Sequence, residues 1–523
     1  MNPIRSLLFA GLALAAAAPA AQAQAADSAL ANWHLLDPTA DRVPGISAER
    51  AYRELLSGMQ VRDTVVVAII DSGVEIDHPD LAGVVWTNRG EVPGNNRDDD
   101  DNGYVDDMHG WDFLGGRDGR DVSHDTYEIT RLFAACRNGA MEAGGTPCGE
   151  IRAEFEERTG ELRGQATFMQ QLSAQVATLR TALAGREITV ESLRGLQSSD
   201  PQVMTARNQI NRILARGFTV KDIEEQATAI QDQVRYGYNP DFDPRPTVGD
   251  NYANTAERGY GNAEVEGPDA SHGTHVAGIV AAMRNDVGIS GVAGTVRIMP
   301  LRAVPDGDER DKDVANAIRY AVDNGARVVN MSFGKSHSPQ KSVVDEAVRY
   351  AESKGVLLVH AAGNDGADLN EEGNFPNQDY AGGGRAGNWI EVGASNWEGP
   401  EKLAADFSNY GRGKVDVFAP GAAILSTLND QTYGRLDGTS MAAPVVSGIA
   451  ATLMAYFPEL TAAQVREIIL ASATRYADQQ VTVPGGEDQV PFGQLSDTGG
   501  VVNLYNAVQM AQQRVRQGIG NRE

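Results

Sequence analysis

Short, unbroken apolar runs rich in β-branched residues recur along this chain, and they limit the folds that it can adopt. The first run, Val65 to Ile70, ends directly at Asp71. Similar runs lie at 297–301, 327–331, 356–360, 390–392 and 415–418, and helical patterns at 275–283, 314–322 and 343–352 separate several of them. Runs without polar alternation are typical of strands that are buried on both faces. The pattern predicts an α/β fold with a doubly wound, mostly parallel sheet flanked by helices.

An aspartate, a histidine and a serine lie where such a sheet places reactive groups, at strand ends and helix starts. Asp71 ends the first run, while His272 and Ser440 each begin a helical stretch. A serine hydroxyl needs an adjacent base to act as a nucleophile, and a carboxylate can orient that base. Taken singly, each residue also has a structural interpretation: a turn aspartate, a capping or core histidine, and an N-cap serine. His275, one turn further on, is interpreted as structural.

Three segments carry a resemblance to a known family. Residues 71–73, 272–278 and 438–444 resemble the three signatures of the subtilases, the subtilisin-like serine peptidases. The order aspartate, histidine, serine is the one known for subtilisin. The resemblance covers about 60–115 and 245–470, and it implies a catalytic triad of Asp71, His272 and Ser440 that hydrolyses peptide bonds through an acyl-enzyme.

The resemblance also implies a substrate groove beside the triad. Asn364 matches the family's asparagine, whose side-chain amide stabilises the oxyanion. The residues expected to bind substrate are Ser332, Phe333 and Gly334 on one side and Ala362 and Gly363 on the other. The first segment would pair with extended substrate backbone, as an added strand does. Small residues in the opposite wall predict an open pocket for apolar side chains.

Calcium is the metal that an acidic loop suggests. Asp98, Asp100 and Asn102 fit the first half of an EF-hand-like loop, and Asp106 fits a later ligand position. His109 stands where the loop's final glutamate would be, so a full EF-hand is absent. Hard oxygen ligands favour calcium. The alternative is a solvated acidic loop without a metal.

A second calcium site is implied by the family resemblance alone. Asp80 and Asn285 match calcium ligands of the subtilases, and the carbonyls of Val287 and Ile289 would complete the site.

Residues 116–240 interrupt the alternation of strands and helices. Leu172, Val176, Leu179 and Leu183 form a helical apolar stripe, and 203–214 and 220–234 also have helical patterns. We predict an all-helical insertion. A coiled-coil partner surface is the alternative, but the heptads are few. Because the insertion separates Asp71 from His272, we hypothesise a regulatory or folding role. Unchanged secretion, stability and activity after deletion of about 118–238 would refute that role.

The chain has two cysteines, Cys136 and Cys148, which we expect to form a disulfide rather than remain free thiols. A disulfide needs an oxidising compartment, which export would provide. Residues 1–23 have a basic start, an apolar run and a small-residue cleavage site, and this pattern predicts a secretory signal peptide. The apolar run is short for the alternative, a membrane anchor. We therefore expect export to the periplasm or the medium and no membrane span.

The remaining domain boundaries follow from these motifs. Residues 24–60 are predicted to be a short N-terminal leader, which is shorter than the pro-segment of many secreted subtilases. The peptidase domain is expected at 61–115 and 241–510, with a polar tail at 511–523.

The net charge of −26 argues against nucleic acid as a partner, because the chain repels polyanions. We predict a serine-type endopeptidase, a hydrolase acting on polypeptide substrates. The rival hypothesis is a catalytically silent binding protein with the same fold. An esterase of another α/β topology would carry Gly-x-Ser-x-Gly with its histidine last, and neither condition holds here.

Overall fold

The computed structural model describes residues 31–285 and 287–520, and these form two compact units. The first, here called the sheet unit, comprises residues 31–123 and 244–520. The second, here called the helical unit, comprises residues 124–243. The predicted signal peptide at 1–23 lies outside the described residues.

The sheet unit is built on a nine-stranded sheet with the strand order β10-β13-β7-β6-β5-β4-β1-β3-β2. All neighbouring strands in it run parallel except β10 and β13. Two hairpins, β8-β9 and β11-β12, lie outside this sheet. The strands are β1 (Val65–Asp71), β2 (Trp111–Asp112), β3 (Val296–Arg302), β4 (Val328–Met331), β5 (Leu357–Ala361), β6 (Trp389–Ser395), β7 (Val417–Pro420), β8 (Ile424–Leu428), β9 (Thr432–Leu436), β10 (Thr474–Arg475), β11 (Gln480–Thr482), β12 (Gln489–Pro491) and β13 (Gly500–Val501).

Helices cover both faces of this sheet. They are α1 (Ala48–Ala51), α2 (Ser271–Ala281), α3 (Asp311–Asp323), α4 (Lys341–Ser353), α5 (Thr439–Tyr456), α6 (Ala462–Ala471) and α7 (Leu504–Gly520). A π-helical segment, Tyr52–Leu56, continues α1, and short 3-10 turns lie at Trp33–Leu35, Arg245–Thr247, Pro400–Lys402 and Phe492–Gln494.

The alternation of side chains along β1 explains why the unit has two cores. Val67 and Ile69 point to one face and join a buried cluster with α2 and α5. Ala68 and Ile70 point to the other face and join a cluster with α3 and α4. A strand with two buried faces has to be apolar throughout, which is the pattern that the sequence carries. The predicted doubly wound α/β fold is confirmed.

Helix α5 lies inside the sheet unit. By length and composition alone, it is the one helix among the described residues that is apolar enough to cross a membrane. In this structure 89% of the residues of α5 are buried inside the protein. The helix therefore has the surroundings of a core helix.

The segment 31–60, which falls in the predicted leader, is packed into the sheet unit. The indole of Trp33 donates to the carbonyl of Ala422 at 2.9 Å, and its side chain is fully buried. The Leu504 amide, at the start of α7, donates to the Ile46 carbonyl at 2.8 Å. Residues near the two ends of the described chain therefore form part of one core.

The helical unit consists of a long helix with shorter helices packed along it. Leu172, Val176 and Leu179 form a buried cluster with Ile210 and Ile230 from two later helices, so the predicted stripe is covered within the unit itself. The helices are Glu128–Arg137, Cys148–Ala182, Val190–Gly195, Pro201–Leu214 and Val220–Asp232, and a π-helical segment, Gln233–Gly237, follows them. A short ribbon pairs Glu142–Ala143 with Thr146–Pro147.

Cys136 and Cys148 are joined by a disulfide between the first two of these helices, as the sequence predicted.

Candidate active site

Asp71 and His272 meet where β1 ends and α2 begins. The Asp71 side chain is buried, and its Oδ1 lies 2.6 Å from Nδ1 of His272. A carboxylate only accepts, so Nδ1 carries the proton of this hydrogen bond and Nε2 is left as the basic nitrogen. The close approach depends on Gly273, since a Cβ there would overlap the Gly73 carbonyl oxygen.

The protonation of His272 is set by two opposing effects. Partial burial of the imidazole, whose side chain is 39% exposed, lowers its pKa, while the negative charge of Asp71 and the hydrogen bond to it raise the pKa. The attraction prevails, so the pKa of His272 is raised above its ordinary value. His275, by contrast, is fully buried and has its pKa lowered to about 3 by burial. Its Nε2 lies 3.0 Å from the Ile424 carbonyl oxygen, which agrees with the structural interpretation.

Ser440 lies in the first turn of α5. Its Oγ donates to the carbonyl of Ser332 at 3.1 Å, and Ser332 Oγ donates to the Ser440 carbonyl at 2.9 Å. Within the part of the chain that the structure describes, the Ser440 hydroxyl is thus bonded to Ser332 and not to His272. Catalytic hydrogen bonds are often loose in proteins without bound substrate. Rotation of the hydroxyl away from Ser332 would precede any reaction with His272.

Asn364 follows β5 and has a fixed amide orientation. Its Oδ1 accepts from the backbone amide of Thr439 at 2.8 Å and from the Thr439 hydroxyl at 3.0 Å. The Asn364 NH₂ group is therefore turned away from these donors. A Cβ placed on Gly438 would lie 3.5 Å from the Ser440 amide nitrogen and 3.6 Å from Nδ2 of Asn364. The Ser440 amide nitrogen and the Asn364 Nδ2 therefore lie close to one another beside Ser440.

The sheet explains why residues so distant in sequence are brought together. Strands β1, β4 and β5 are neighbours in it. Asp71 is the last residue of β1, Ser332 directly follows β4, and Asn364 lies three residues beyond β5. Carboxyl ends of parallel strands share one edge, so these residues lie along the same edge of the sheet.

The predicted groove contains a side chain that sequence analysis missed. Asn374 donates through Nδ2 to the Ala362 carbonyl at 3.0 Å, and a Cβ on Gly334 would overlap its Oδ1. Asn374 therefore lies between the two predicted walls, and the space between them is narrower than the small wall residues suggested. The segment after Gly334 pairs with the one after Asn374, because Lys335 and Phe375 exchange two backbone hydrogen bonds of 2.9 Å. Asn374 belongs to an irregular segment without a periodic pattern, so no signal pointed to it.

Comparison with known proteins identifies the family. The family model described as the subtilase family matches residues 62–487. This chain belongs to the subtilase family.

Several curated subtilases are similar to part of the chain. The thermophilic serine proteinase of Bacillus sp. (strain AK1) is 44% identical over 186 residues, which are 35% of this chain and 42% of that protein. Subtilisin E of Bacillus subtilis (strain 168) is 38% identical over 208 residues, 39% of this chain and 51% of that protein. The subtilisin of Bacillus pumilus is also 38% identical over 208 residues, 39% of this chain and 70% of that protein.

The chain spans about half the length of several subtilisins that it matches, including 51% of subtilisin NAT of Bacillus subtilis subsp. natto. Among solved structures, a protease from Pseudoalteromonas arctica PAMC 21717 matches with a TM-score of 0.40 and 28% identity over 50% of this chain and 81% of that one.

The acidic loop of this subtilase assembles a different set of carboxylates from the predicted one. Carboxylate oxygens of Glu91, Asp100 and Asp107 lie within 4.8 Å of one another. Asp98 instead accepts from the backbone amides of residues 102 and 103, and Asp106 accepts from those of residues 95 and 96. Carboxylates in tight loops bond readily to nearby backbone amides, and Asp98 and Asp106 both do so. Their role as metal ligands stays a prediction.

The other predicted members of this loop have protein partners. Asn102 donates through Nδ2 to Asp107 at 3.0 Å. Burial raises the pKa of Asp107 to about 6, against the effect of hydrogen bonds from Tyr320, Asn102 and Asn88. Glu91, seven residues before Asp98, and Asp107, one residue past the last predicted ligand, were not among the predicted ligands.

At the second predicted site, Asp80 is buried with one oxygen unsatisfied. Its Oδ2 accepts from the Ile289 amide at 2.9 Å, while Oδ1 has no hydrogen-bond partner among the described residues. Buried carboxylate oxygens are normally paired, so this oxygen suits a cation. Asn285 Oδ1 accepts from the Val287 amide at 3.1 Å, and Val287 is 62% exposed. The residues present therefore fit a hard cation on Asp80, whereas the Ile289 amide donates to Asp80 and the Val287 amide donates to Asn285 Oδ1.

Proposed function

We propose that this chain is an exported serine endopeptidase that cleaves polypeptides through Asp71, His272 and Ser440. The observation that carries the proposal is the short hydrogen bond between Asp71 and His272 at the sheet edge that also bears Ser332 and Asn364. The Asp71 carboxylate orients the imidazole and compensates the positive charge that His272 gains during the reaction. Membership of the subtilase family supports the assignment of these roles.

The reaction begins when the Ser440 hydroxyl leaves the Ser332 carbonyl and turns to Nε2 of His272. His272 removes its proton as Oγ attacks the peptide carbonyl carbon, and the carbonyl π electrons move onto the oxygen. The Ser440 amide and the Asn364 side chain donate to that oxyanion. His272 then protonates the leaving amine. In the second half of the reaction His272 removes a proton from water, which attacks the ester carbon, and it then returns the proton to Ser440 Oγ as the acid product leaves.

Asn364 supplies a donor that matters most in the transition state. Removal of one such donor costs about 100- to 1000-fold in turnover, a value known from subtilisin itself. The Thr439 contacts hold the amide in this orientation before substrate arrives, so little reorganisation is needed during reaction.

Calcium is proposed as a structural ion rather than a reactant. Asp80 would hold it through the unsatisfied Oδ1, and the cluster of Glu91, Asp100 and Asp107 would hold another. The bound ions would neutralise buried carboxylates and fix the loops that carry them. Export is supported by the composition of residues 1–23.

The proposal is tested by casein digestion and by labelling with a fluorophosphonate, which reacts with activated serines. Wild-type protein is expected to digest casein and to take up the label, whereas Ser440→Ala does neither. Ser447→Ala is the matched control, since Ser447 lies on the same helix and is bonded to Asn330. Equal absence of digestion and labelling in wild type and Ser440→Ala would favour the rival, a binding protein with a silent site.

A further inference from the structure

Asn409 lies in the irregular segment between β6 and β7, behind the loop that carries Asn364. Its side chain is 2% exposed. Its Oδ1 accepts from the backbone amides of Asp365 at 2.9 Å and Ala367 at 3.0 Å. Its Nδ2 donates to the Ala362 carbonyl at 3.0 Å and to the Asp365 carboxylate at 3.3 Å. These contacts satisfy both ends of one buried amide.

The backbone of Asn409 adds a further hydrogen bond to the same loop. Its amide donates to the Gly363 carbonyl at 2.9 Å. Asn409 thus bonds to two residues before Asn364 and two residues after it, and no bond to Asn364 itself is found in the described structure. Gly363 has a φ of +102° and so lies in the left-handed region, which a glycine adopts without strain. A Cβ there would also overlap Nδ2 of Asn409.

Asn409 is in turn attached to the central sheet. The neighbouring Ser408 donates through Oγ to the Asn409 carbonyl at 2.9 Å and accepts from the Ala394 amide of β6 at 2.9 Å. Asn409 and Ser408 therefore tie the loop 362–367 to a buried strand, in addition to the Ala362 amide, which donates to the Val392 carbonyl at 3.0 Å. An oxyanion donor has to lie about 2.7–3.1 Å from its acceptor, and supporting hydrogen bonds hold such a group within about 0.5 Å of that position.

We propose that Asn409 is a positioning residue for the oxyanion donor Asn364. It acts only through the loop and touches neither substrate nor the reacting atoms. The inference rests on the proposed peptidase function, because it concerns the rate of that reaction. Misplacement by about 1 Å costs roughly 100-fold in rate, so loss of Asn409 is expected to cost about 10- to 100-fold.

The test is a double-mutant cycle with Asn364, measured as kcat and KM on a peptide p-nitroanilide. Asn409→Ala is expected to lower kcat about 10- to 100-fold and to leave KM within about threefold, since the oxyanion forms only after binding. In an Asn364→Ala background the same change is expected to alter kcat by less than about threefold, because the donor it positions is gone. Equal fold losses in both backgrounds would overturn the proposal and indicate a merely structural residue.

Two further variants serve as a control for general destabilisation and as a substitute if Asn409→Ala does not fold. Asn388→Ala removes another buried asparagine, whose Nδ2 donates to the Val356 carbonyl at 2.8 Å on the opposite edge of the sheet. It is expected to lower the melting temperature and to leave kcat unchanged. If Asn409→Ala does not fold, Asn409→Asp keeps the two acceptor bonds but sets a carboxylate against the Ala362 carbonyl and the Asp365 carboxylate. Its kcat should then fall at least tenfold, and by less than about threefold in the Asn364→Ala background.

Failure of the proposed peptidase function can be distinguished from failure of the proposed role of Asn409. A wild type that hydrolyses no substrate and takes up no fluorophosphonate refutes the peptidase function and this inference with it. An active wild type in which Asn409→Ala has unaltered kcat refutes this inference alone.

Discussion

In the sheet unit, buried polar side chains bond across long stretches of sequence, as Asp71 does with His272 and Arg245 with Asp313. In the helical unit, many side-chain hydrogen bonds stay within one helical turn, such as that from Thr159 to the Phe155 carbonyl at 2.7 Å. The larger buried cluster of the helical unit, at 162–230, is aliphatic, and a second cluster at 129–155 contains Phe155 and the disulfide. Buried polar contacts require exact partners, while aliphatic packing tolerates substitution. The polar contacts of the candidate active site therefore lie in the sheet unit, whereas aliphatic packing forms the larger core of the helical unit.

The largest effect is expected from Asp71→Asn. The substitution keeps the shape of the side chain but reverses the tautomer of His272, and turnover should fall about 10,000-fold, as in other triad enzymes. Circular dichroism should show an unchanged fold. The matched variant is Asp200→Asn in the helical unit, where Asp200 caps a helix by accepting from the Gln202 amide at 2.8 Å. Asparagine caps equally well, so activity should not change. Similar losses in both variants would contradict the comparison.

Leu179→Ala should affect stability and leave the chemistry alone. Leu179 is fully buried in the helical unit, and removal of such a side chain costs about 2–5 kcal/mol. We expect faster hydrogen exchange in the helix Cys148–Ala182, with kcat/KM unchanged at low temperature. Phe168→Ala on the same helix is the control, because Phe168 is 43% exposed. A parallel loss of kcat/KM in Leu179→Ala would show that the helical unit supports the active site.

The pH dependence sharpens the assignment of the base. His272 has to be neutral to accept the Ser440 proton, and Asp71 raises its pKa. The acid limb of kcat/KM is therefore expected above the ordinary histidine pKa of about 6.5, with activity falling about tenfold per pH unit below it. In Asp71→Asn the residual activity should have its limb at lower pH. An identical limb in both proteins would assign the titration to another group.

The smallest effect is expected from Arg180→Ala. Arg180 pairs with Glu224 across two helices of the helical unit at 2.8 Å, but the side chains are 57% and 43% exposed. Exposed pairs contribute about 0.2–1 kcal/mol. Thermal melting should shift by no more than a few degrees, and kcat/KM should be unaltered. A larger fall in the melting temperature would mean that this ion pair stabilises the helical unit more than exposed pairs usually do.

Periodicity and motif order predicted the sheet, the helix starts and the pairing of Asp71 with His272. These features depend on local patterns: a buried strand has to be apolar, and polar residues at its end meet those of its neighbours. Asn374 and Asn409 were not predictable, because each lies in an irregular segment and acts on residues far away in sequence. The acidic loop could be predicted only in part. Composition identified its carboxylates, but the turns decided that Asp98 and Asp106 bond to backbone amides while Glu91 and Asp107 converge.

The contact of the segment 31–60 with α7 has a consequence for biosynthesis. Asn503 donates to the Ser47 hydroxyl at 2.9 Å across a sequence separation of 456 residues. A ribosome adding about 5–20 residues per second needs roughly 20–90 s to make that stretch. Until then the amino-terminal segment has no carboxyl-terminal partner, and Ser440 itself is among the later residues to emerge. Assembly of this core is therefore completed only after nearly all of the sheet unit has been synthesised.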